Sequence, residues 1–125
     1  MPVIPQIQAF AGDLTAIRRD FHRHPEIGFQ EHRTSARVAE LLESWGIAVT
    51  HGIGGTGLVG VLEGARPGRS IALRADMDAL PMDERTGSAY SSTVPNVAHA
   101  CGHDAHTAIL LGTGMALAAA AELPV

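Results

Sequence analysis

The most constraining feature of this 125-residue chain is a predicted helix without a polar face. From Asp104 onward, apolar side chains recur on nearly all sides of the segment: Ala108, Ile109, Leu111, Met115 and Leu117. A helix that is apolar all round is buried, and a buried helix needs a layer of structure on each side. The chain reaches residues 123–125 where a further strand would follow, so we expect the front part of a larger domain. The alternative is a small domain closed by oligomerisation.

Two more helices are predicted before this segment. Apolar residues at three- and four-residue intervals predict an amphipathic helix over residues 4–21. It should end near His24, because Pro25 disfavours a helical conformation at the residue before it. A second helix, from residue 38 to Trp45, should stop at Gly46.

Strand and loop signals fill the middle of the chain, which makes the predicted class α/β. Three short strands are predicted, at residues 47–50, 58–62 and 71–74. The run from Gly52 to Gly57 matches the dinucleotide pattern G-x-G-x-x-G, but that pattern requires a helix after the glycines. A strand follows here instead, so the glycines predict a flexible turn. Residues 82–98 have no clear period and predict a long loop.

Composition excludes several classes of function. The net charge of −4 argues against nucleic acid or an anionic membrane surface as the main partner. The single cysteine rules out an internal disulfide, and nothing suggests an oxidising compartment. No apolar stretch reaches about 18 residues, the length that predicts a membrane span. We therefore expect a soluble, cytoplasmic protein.

The run from His99 to His106 holds three of the seven histidines and the only cysteine. Cys101 and His103 offer a thiolate and an imidazole two residues apart, which suits zinc or manganese. Their place at the start of a helix adds N–H groups and a dipole that favour a thiolate. The alternative is a buried structural cysteine beside surface histidines. His99 and His106 are weaker candidates as ligands.

Two carboxylates, Asp76 and Asp78, follow the third predicted strand. One of them could bind metal directly while the other orients a ligand histidine from behind. The alternative is an acidic turn capped by Pro81. A further polar group, consisting of His22, His24 and Glu26, predicts a helix-end histidine that contacts the last carbonyls of its helix.

Four segments together carry a resemblance to a known family. They are Phe21 to Phe29 (FHRHPEIGF), Thr56-Gly57, Arg74 to Pro81 (RADMDALP) and His99 to Ala108 (HACGHDAHTA). In this order they closely resemble the N-terminal part of the M20 metallopeptidase family. The nearest branch is the amidohydrolases of N-acylated amino acids, of the hippurate hydrolase, aminoacylase and auxin-conjugate hydrolase types. Ala98 departs from the methionine that is common there.

The resemblance implies an α/β catalytic domain, with helices packed on a mixed sheet, and a smaller inserted domain that often dimerises. It implies two divalent metals per complete site (zinc, manganese, cobalt or nickel) and a small N-acyl amino acid as substrate. By motif match, Cys101 and His103 are metal ligands and Asp78 orients the site. Asp76 stands where other branches carry a ligand histidine, and it remains a weaker candidate together with His106.

The implied chemistry is metal-assisted hydrolysis, in which a glutamate transfers the proton to the leaving amine. In the family this glutamate lies in a Glu-Glu motif after the next strand, and further ligand histidines follow it. After His103 this sequence has only Asp104 and Glu122 as carboxylates. We therefore expect residues 1–125 to be a truncated N-terminal portion of the catalytic domain, inactive alone. The alternatives are a non-catalytic metal-binding or interaction module, a homo-oligomer, and a fragment that pairs with a separately encoded remainder.

Overall fold

The computed structural model describes residues 5–120. The elements in chain order are α1 (Pro5–Ala9), α2 (Ala11–Arg23), α3 (His32–Ser44), β1 (Ala48–Ile53), β2 (Gly57–Val61) and α4 (His103–Ala118). Ile4, expected in the first helix, and residues 123–125 lie outside the described residues. Among the helices of the described part, none is long and apolar enough to cross a membrane.

The C-terminal ends of the first two predicted helices follow the predicted signals, whereas α3 begins at His32, before the predicted start at residue 38. The predicted first helix is divided into α1 and α2 at Phe10, and α2 ends at Arg23, just before the Pro25 signal. The backbone N–H of His24 donates to the carbonyl oxygens of Asp20 and Phe21 at 3.2 and 3.1 Å, which closes the last turn. Helix α3 ends at Ser44, and Gly46 follows with φ +78°, a conformation that favours glycine.

The first two predicted strands are confirmed as an antiparallel hairpin. Ala48 pairs with Val61 at one end, and Ile53 pairs with Gly57 at the other. An irregularity in the register lies between His51 and Ile53, where Gly52 has φ +76°. The glycine run is therefore a hairpin turn followed by a strand, as its sequence predicted.

The prediction of a third strand at residues 71–74 is wrong. These residues form no strand, and the side chains of Ile71 and Leu73 are 78% and 58% exposed. A strand needs a neighbour to accept and donate its backbone hydrogen bonds, and within residues 5–120 no neighbour lies beside this segment. The sheet described is accordingly a two-stranded antiparallel one and not the expected mixed sheet.

The hydrophobic core lies where α2, α3 and α4 meet. Its buried members are Phe21, Val38 and Leu111, and Trp45 is among the partly buried side chains packed against them. The expectation that α4 is buried on nearly all sides is correct for one side only, since Ile109 is 65% exposed. The reason is that α2 and α3 both pack on the side of α4 that carries Leu111.

The hairpin yields a stability prediction at Gly57. A Cβ atom there would overlap the backbone carbonyl oxygen of Ile53, which cannot move without distorting the turn. We expect Gly57→Ala to lower the free energy of unfolding by about 1–3 kcal/mol. Gly12→Ala is the matched control, because a Cβ at Gly12 in α2 meets no atom within 4 Å. It should raise stability by roughly 0.5–1 kcal/mol. Urea denaturation measures both, and equal stability of the two variants would contradict the prediction.

Candidate metal centre

The segment that carries Asp78 is held by backbone hydrogen bonds on two sides. The N–H of Ala79 donates to the carbonyl oxygen of Glu26 at 2.7 Å. Leu80 and Ala98 exchange two N–H to carbonyl bonds of 3.0 Å each. Three segments distant in sequence thus meet beside the start of α4, and the meeting places Asp78 next to His103.

His103 is fixed in one tautomer by Asp78. Its Nδ1 lies 2.9 Å from Asp78 Oδ1 and 3.0 Å from the backbone carbonyl oxygen of the same residue. Both oxygens are acceptors, so Nδ1 carries a proton and Nε2 is the ring nitrogen left to face a ligand. A metal-ligating imidazole has this arrangement, with its second nitrogen bonded to a carboxylate or carbonyl. The His103 side chain is 18% exposed and so remains accessible.

The beginning of α4 fits closely against the same segment. His103 is the first residue of the helix, and Gly102 before it has φ +90°, which a residue with a side chain rarely adopts. One turn later, the Thr107 hydroxyl donates to the carbonyl oxygen of Asp76 at 3.1 Å. The two contacts, at His103 and at Thr107, align the first turns of the helix with residues 76–78.

The other predicted candidates are placed differently. The Asp76 carboxylate pairs with Arg74 at 2.6 Å, and Cys101 is an exposed free thiol. The His106 ring lies 5.8 Å from the His103 ring. Within residues 5–120, no three or more His, Cys, Asp or Glu side chains are grouped so that they could hold a metal ion. The structure thus brings His103 together with Asp78 and leaves Asp76 out of that contact.

The polar group around Pro25 divides into separate structural roles. His24 Nδ1 lies 2.9 Å from the carbonyl oxygen of Asp20, which confirms the expected helix-end contact. The Glu26 carboxylate accepts hydrogen bonds from the backbone N–H groups of Arg33 and Thr34 at 3.0 and 2.8 Å. Glu26 therefore caps the first turn of α3. His22, the other histidine of the group, is buried instead.

A buried polar network surrounds His22. Its Nδ1 lies 2.6 Å from Asp104 Oδ2, and its Nε2 lies 3.2 Å from Glu84 Oε1. Arg18 Nε donates to the same Asp104 oxygen at 2.8 Å. The exposed fractions of the side chains are 0% for Asp104, 7% for Glu84 and 9% for His22. Charged groups so buried are costly unless they are paired, as these are.

The sequence did not predict this network. The available signal was local: Arg18 and His22 are four residues apart on α2, beside the buried Phe21, so two basic residues share a face next to the core. Their acidic partners could not be found in the same way. Glu84 lies 62 residues from His22, and Asp104 lies 82 residues away.

Hydrogen bonding controls the ionisation of Glu84. Burial raises the pKa of this carboxyl, but hydrogen bonds from Thr86, the Ser92 backbone and His22 outweigh it and lower the pKa from 4.5 to about 2. Burial has the opposite effect on His99, where it lowers the pKa by penalising the imidazolium. Both ring nitrogens of His99 and the Asp104 Oδ1 atom are buried, with no hydrogen-bond partner in the described part of the chain.

The Glu84 carboxylate should make the free energy of unfolding depend on pH in the acidic range. A lowered folded pKa contributes stability above the unfolded value of 4.5, and this contribution is lost as the pH falls toward about 2. We expect Glu84→Gln to lower the free energy of unfolding by about 1–3 kcal/mol at neutral pH. The difference in the free energy of unfolding between this variant and the original chain should become smaller as the pH falls from 4.5 to about 2. Denaturant unfolding at several pH values measures this.

Glu40→Gln is the control, because that side chain pairs with Arg37 on the surface and is 65% exposed. Its effect on stability should stay within about 0.5 kcal/mol at every pH. If the loss of unfolding free energy in Glu84→Gln is the same at every pH, the ionised Glu84 carboxylate does not have the stabilising role assigned to it.

Comparison with known proteins adds a second kind of observation. Residues 72–125 match the family model described as Peptidase family M20/M25/M40. The hippurate hydrolase of Campylobacter jejuni is 48% identical over 111 residues, which cover 89% of this chain and 29% of that protein. The N-acyl-L-amino acid amidohydrolase of Geobacillus stearothermophilus is 48% identical over 101 residues, which cover 81% of this chain and 27% of that protein.

A solved structure shows the same fold. The YXEP protein of Bacillus subtilis, described as a dinuclear metal binding peptidase, matches with a TM-score of 0.85 and 42% identity. The match covers 89% of this chain and 31% of that chain, so this chain spans less than a third of the length of each of these relatives. The predicted α/β class is confirmed by this likeness.

Proposed function

Since the chain belongs to the M20 family of peptidases, as the resemblance of its motifs predicted, we propose that it supplies part of the catalytic domain of a metal-dependent amidohydrolase. The bond cleaved is the amide bond of an N-acyl amino acid, of the hippurate type or a related conjugate. The observation that carries the proposal is the contact between His103 and Asp78, which leaves the imidazole Nε2 ready to bind a cation. The names of two relatives, a hippurate hydrolase and an N-acyl-L-amino acid amidohydrolase, support the substrate class.

Cys101 and His103 would hold the divalent ion, which could be zinc, manganese, cobalt or nickel. Sulfur and imidazole nitrogen are a donor set that suits such ions, and the exposed Cys101 thiol is free to contribute. When bound, the ion supplies Lewis acidity toward an amide carbonyl and toward water. A thiolate ligand also fits a reducing compartment, so we place the protein in the cytoplasm.

The remaining residues of the centre orient these ligands. The Asp78 carboxylate accepts a hydrogen bond from His103 Nδ1 and so fixes the orientation of the ring. Thr107 fixes the helix against the Asp76 backbone, which keeps His103 facing Asp78. The first residue of α4 is His103, two residues after Cys101, so the positive end of the helix dipole lies next to the proposed ligands.

Metal binding by the chain tests the ligand assignment. Cobalt(II) should produce a thiolate-to-cobalt absorption that disappears in Cys101→Ala, because the sulfur donor is removed. Asp78→Ala should weaken cobalt affinity by roughly tenfold, the lower end of the usual range for such partners. The loss is limited because the backbone carbonyl of residue 78 still accepts from His103 at 3.0 Å.

His51→Gln is the matched control for these titrations, since this histidine lies on β1 with its side chain 57% exposed. It should bind cobalt as tightly as the original chain does. Cobalt binding without a thiolate band, or a band that survives Cys101→Ala, would refute the assignment. His106→Gln tests the weaker candidate and should retain the band.

The 125-residue polypeptide alone should not hydrolyse hippurate at a useful rate. Two protein donors leave at least two positions of a four-coordinate metal without protein ligands. The Asp104 carboxylate that follows His103 is engaged by His22 and Arg18, so it is not free to act as a base. Release of glycine from hippurate by the zinc- or manganese-loaded chain measures this, with the Campylobacter jejuni hippurate hydrolase as positive control. Turnover that is lost in Cys101→Ala would disprove the expectation.

A further inference from the structure

Directly behind the candidate metal centre lies a second pairing of an acid with an imidazole. Asp104, the residue after His103, contacts His22 of α2 at 2.6 Å. The other nitrogen of the same ring contacts Glu84 in the loop of residues 81–98 at 3.2 Å. His22 therefore bridges two carboxylates that belong to two separate parts of the chain.

The geometry decides the protonation state of His22. An ionised carboxylate only accepts hydrogen bonds, so a ring nitrogen that contacts it must donate. Glu84 is ionised at neutral pH, since its pKa is about 2, and its second oxygen accepts from the Ser92 N–H at 2.6 Å. The contacted oxygen of Asp104 already accepts from Arg18 Nε at 2.8 Å. Both nitrogens of His22 therefore donate, and the ring is an imidazolium.

The sum of charges agrees with this assignment. With His22 protonated, two cations (Arg18 and His22) face two anions (Asp104 and Glu84), and the buried network is neutral. With His22 neutral, one negative charge would remain uncompensated where the Asp104 side chain is 0% exposed, which is costly.

Two further titratable groups face the His22 ring. The Tyr90 ring meets it edge-on at 5.4 Å, and the His99 ring lies 6.4 Å away. The guanidinium groups of Arg18 and Arg19 lie 5.3 and 4.9 Å from the centre of the Tyr90 ring. Neither Tyr90 nor His99 supplies an acceptor that would replace the two carboxylates.

We propose that His22 is a doubly protonated positioning residue, which clamps α2 to the first turn of α4 and to the loop that carries Glu84. His22 acts on the metal centre indirectly. It holds Asp104 in place, and Asp104 is adjacent to His103, which has to be oriented so that its ring contacts Asp78. This inference rests on the proposed function for the role of His103. The protonation of His22 stands independently, on its contacts with Asp104 and Glu84.

Nitrogen NMR of the metal-free chain tests the imidazolium directly. Both ring nitrogens of His22 should show the chemical shift of a protonated imidazolium nitrogen at pH 7. A merely structural, neutral hydrogen-bonding role would give one protonated and one unprotonated nitrogen at His22. That result would overturn the proposal.

Cobalt titration tests the positioning role. His22→Gln keeps a polar side chain but removes the charge, and it should weaken cobalt affinity by roughly 2- to 30-fold. His22→Lys restores a cation between the carboxylates and should recover part of this loss. His24→Gln, whose ring contacts only the end of its own helix, should have no effect.

The outcomes separate the two proposals. Equal cobalt affinity in His22→Gln and His24→Gln would overturn the positioning role while leaving the metal site in place. Failure of the original chain to bind cobalt would refute the metal site. The nitrogen chemical shifts alone would then decide whether His22 is doubly protonated between Asp104 and Glu84. If His22→Gln does not fold, the comparison of His22→Lys with Glu84→Gln takes its place. Glu84→Gln should then bind cobalt more weakly than His22→Lys does.

Discussion

Two consecutive residues at the start of α4 hold the rest of the structure in place. His103 reaches forward to Asp78, and Asp104 reaches back to His22, each through a hydrogen bond between an imidazole and a carboxylate. Because the two residues are adjacent, the orientation of one constrains that of the other. The first turn of α4 is thereby joined to α2 and to the segment after β2, and the candidate ligand is aligned as a consequence.

Polar contacts specify the arrangement of these elements because the apolar core of the described residues is small. Phe21, Val38 and Leu111 form its central buried cluster, four of the other buried apolar residues are alanines, and Ile109 and Ile71 remain largely exposed. Hydrophobic burial is non-directional, so a small core alone specifies geometry weakly. Buried hydrogen-bonded charges are directional, and breaking one of them leaves the other uncompensated, which strongly disfavours alternative arrangements.

Whether a feature could be predicted depends on how far apart along the chain the interacting residues lie. Helix ends at Pro25 and Gly46 depend on the conformations of single residues, and both were located correctly. The strand predicted at residues 71–74 was wrong, because a strand exists only where another backbone pairs with it. The exposure of Ile109 on α4 could not be predicted either, since it depends on where α2 and α3 pack. The same limit applied to His22, whose partners are 62 and 82 residues away.

By itself, the sequence predicted the helices, the first two strands, the resemblance to the M20 family and the candidate metal ligands. The elements follow from spacing and turn residues, and the candidate ligands follow from the donor chemistry of Cys101 and His103, all of which act within a few residues. Only the tertiary structure decided that Asp78 rather than Asp76 contacts His103, and that His22 lies between Asp104 and Glu84. The physical reason is that hydrogen bonds act over about 3 Å in space and are indifferent to separation along the chain.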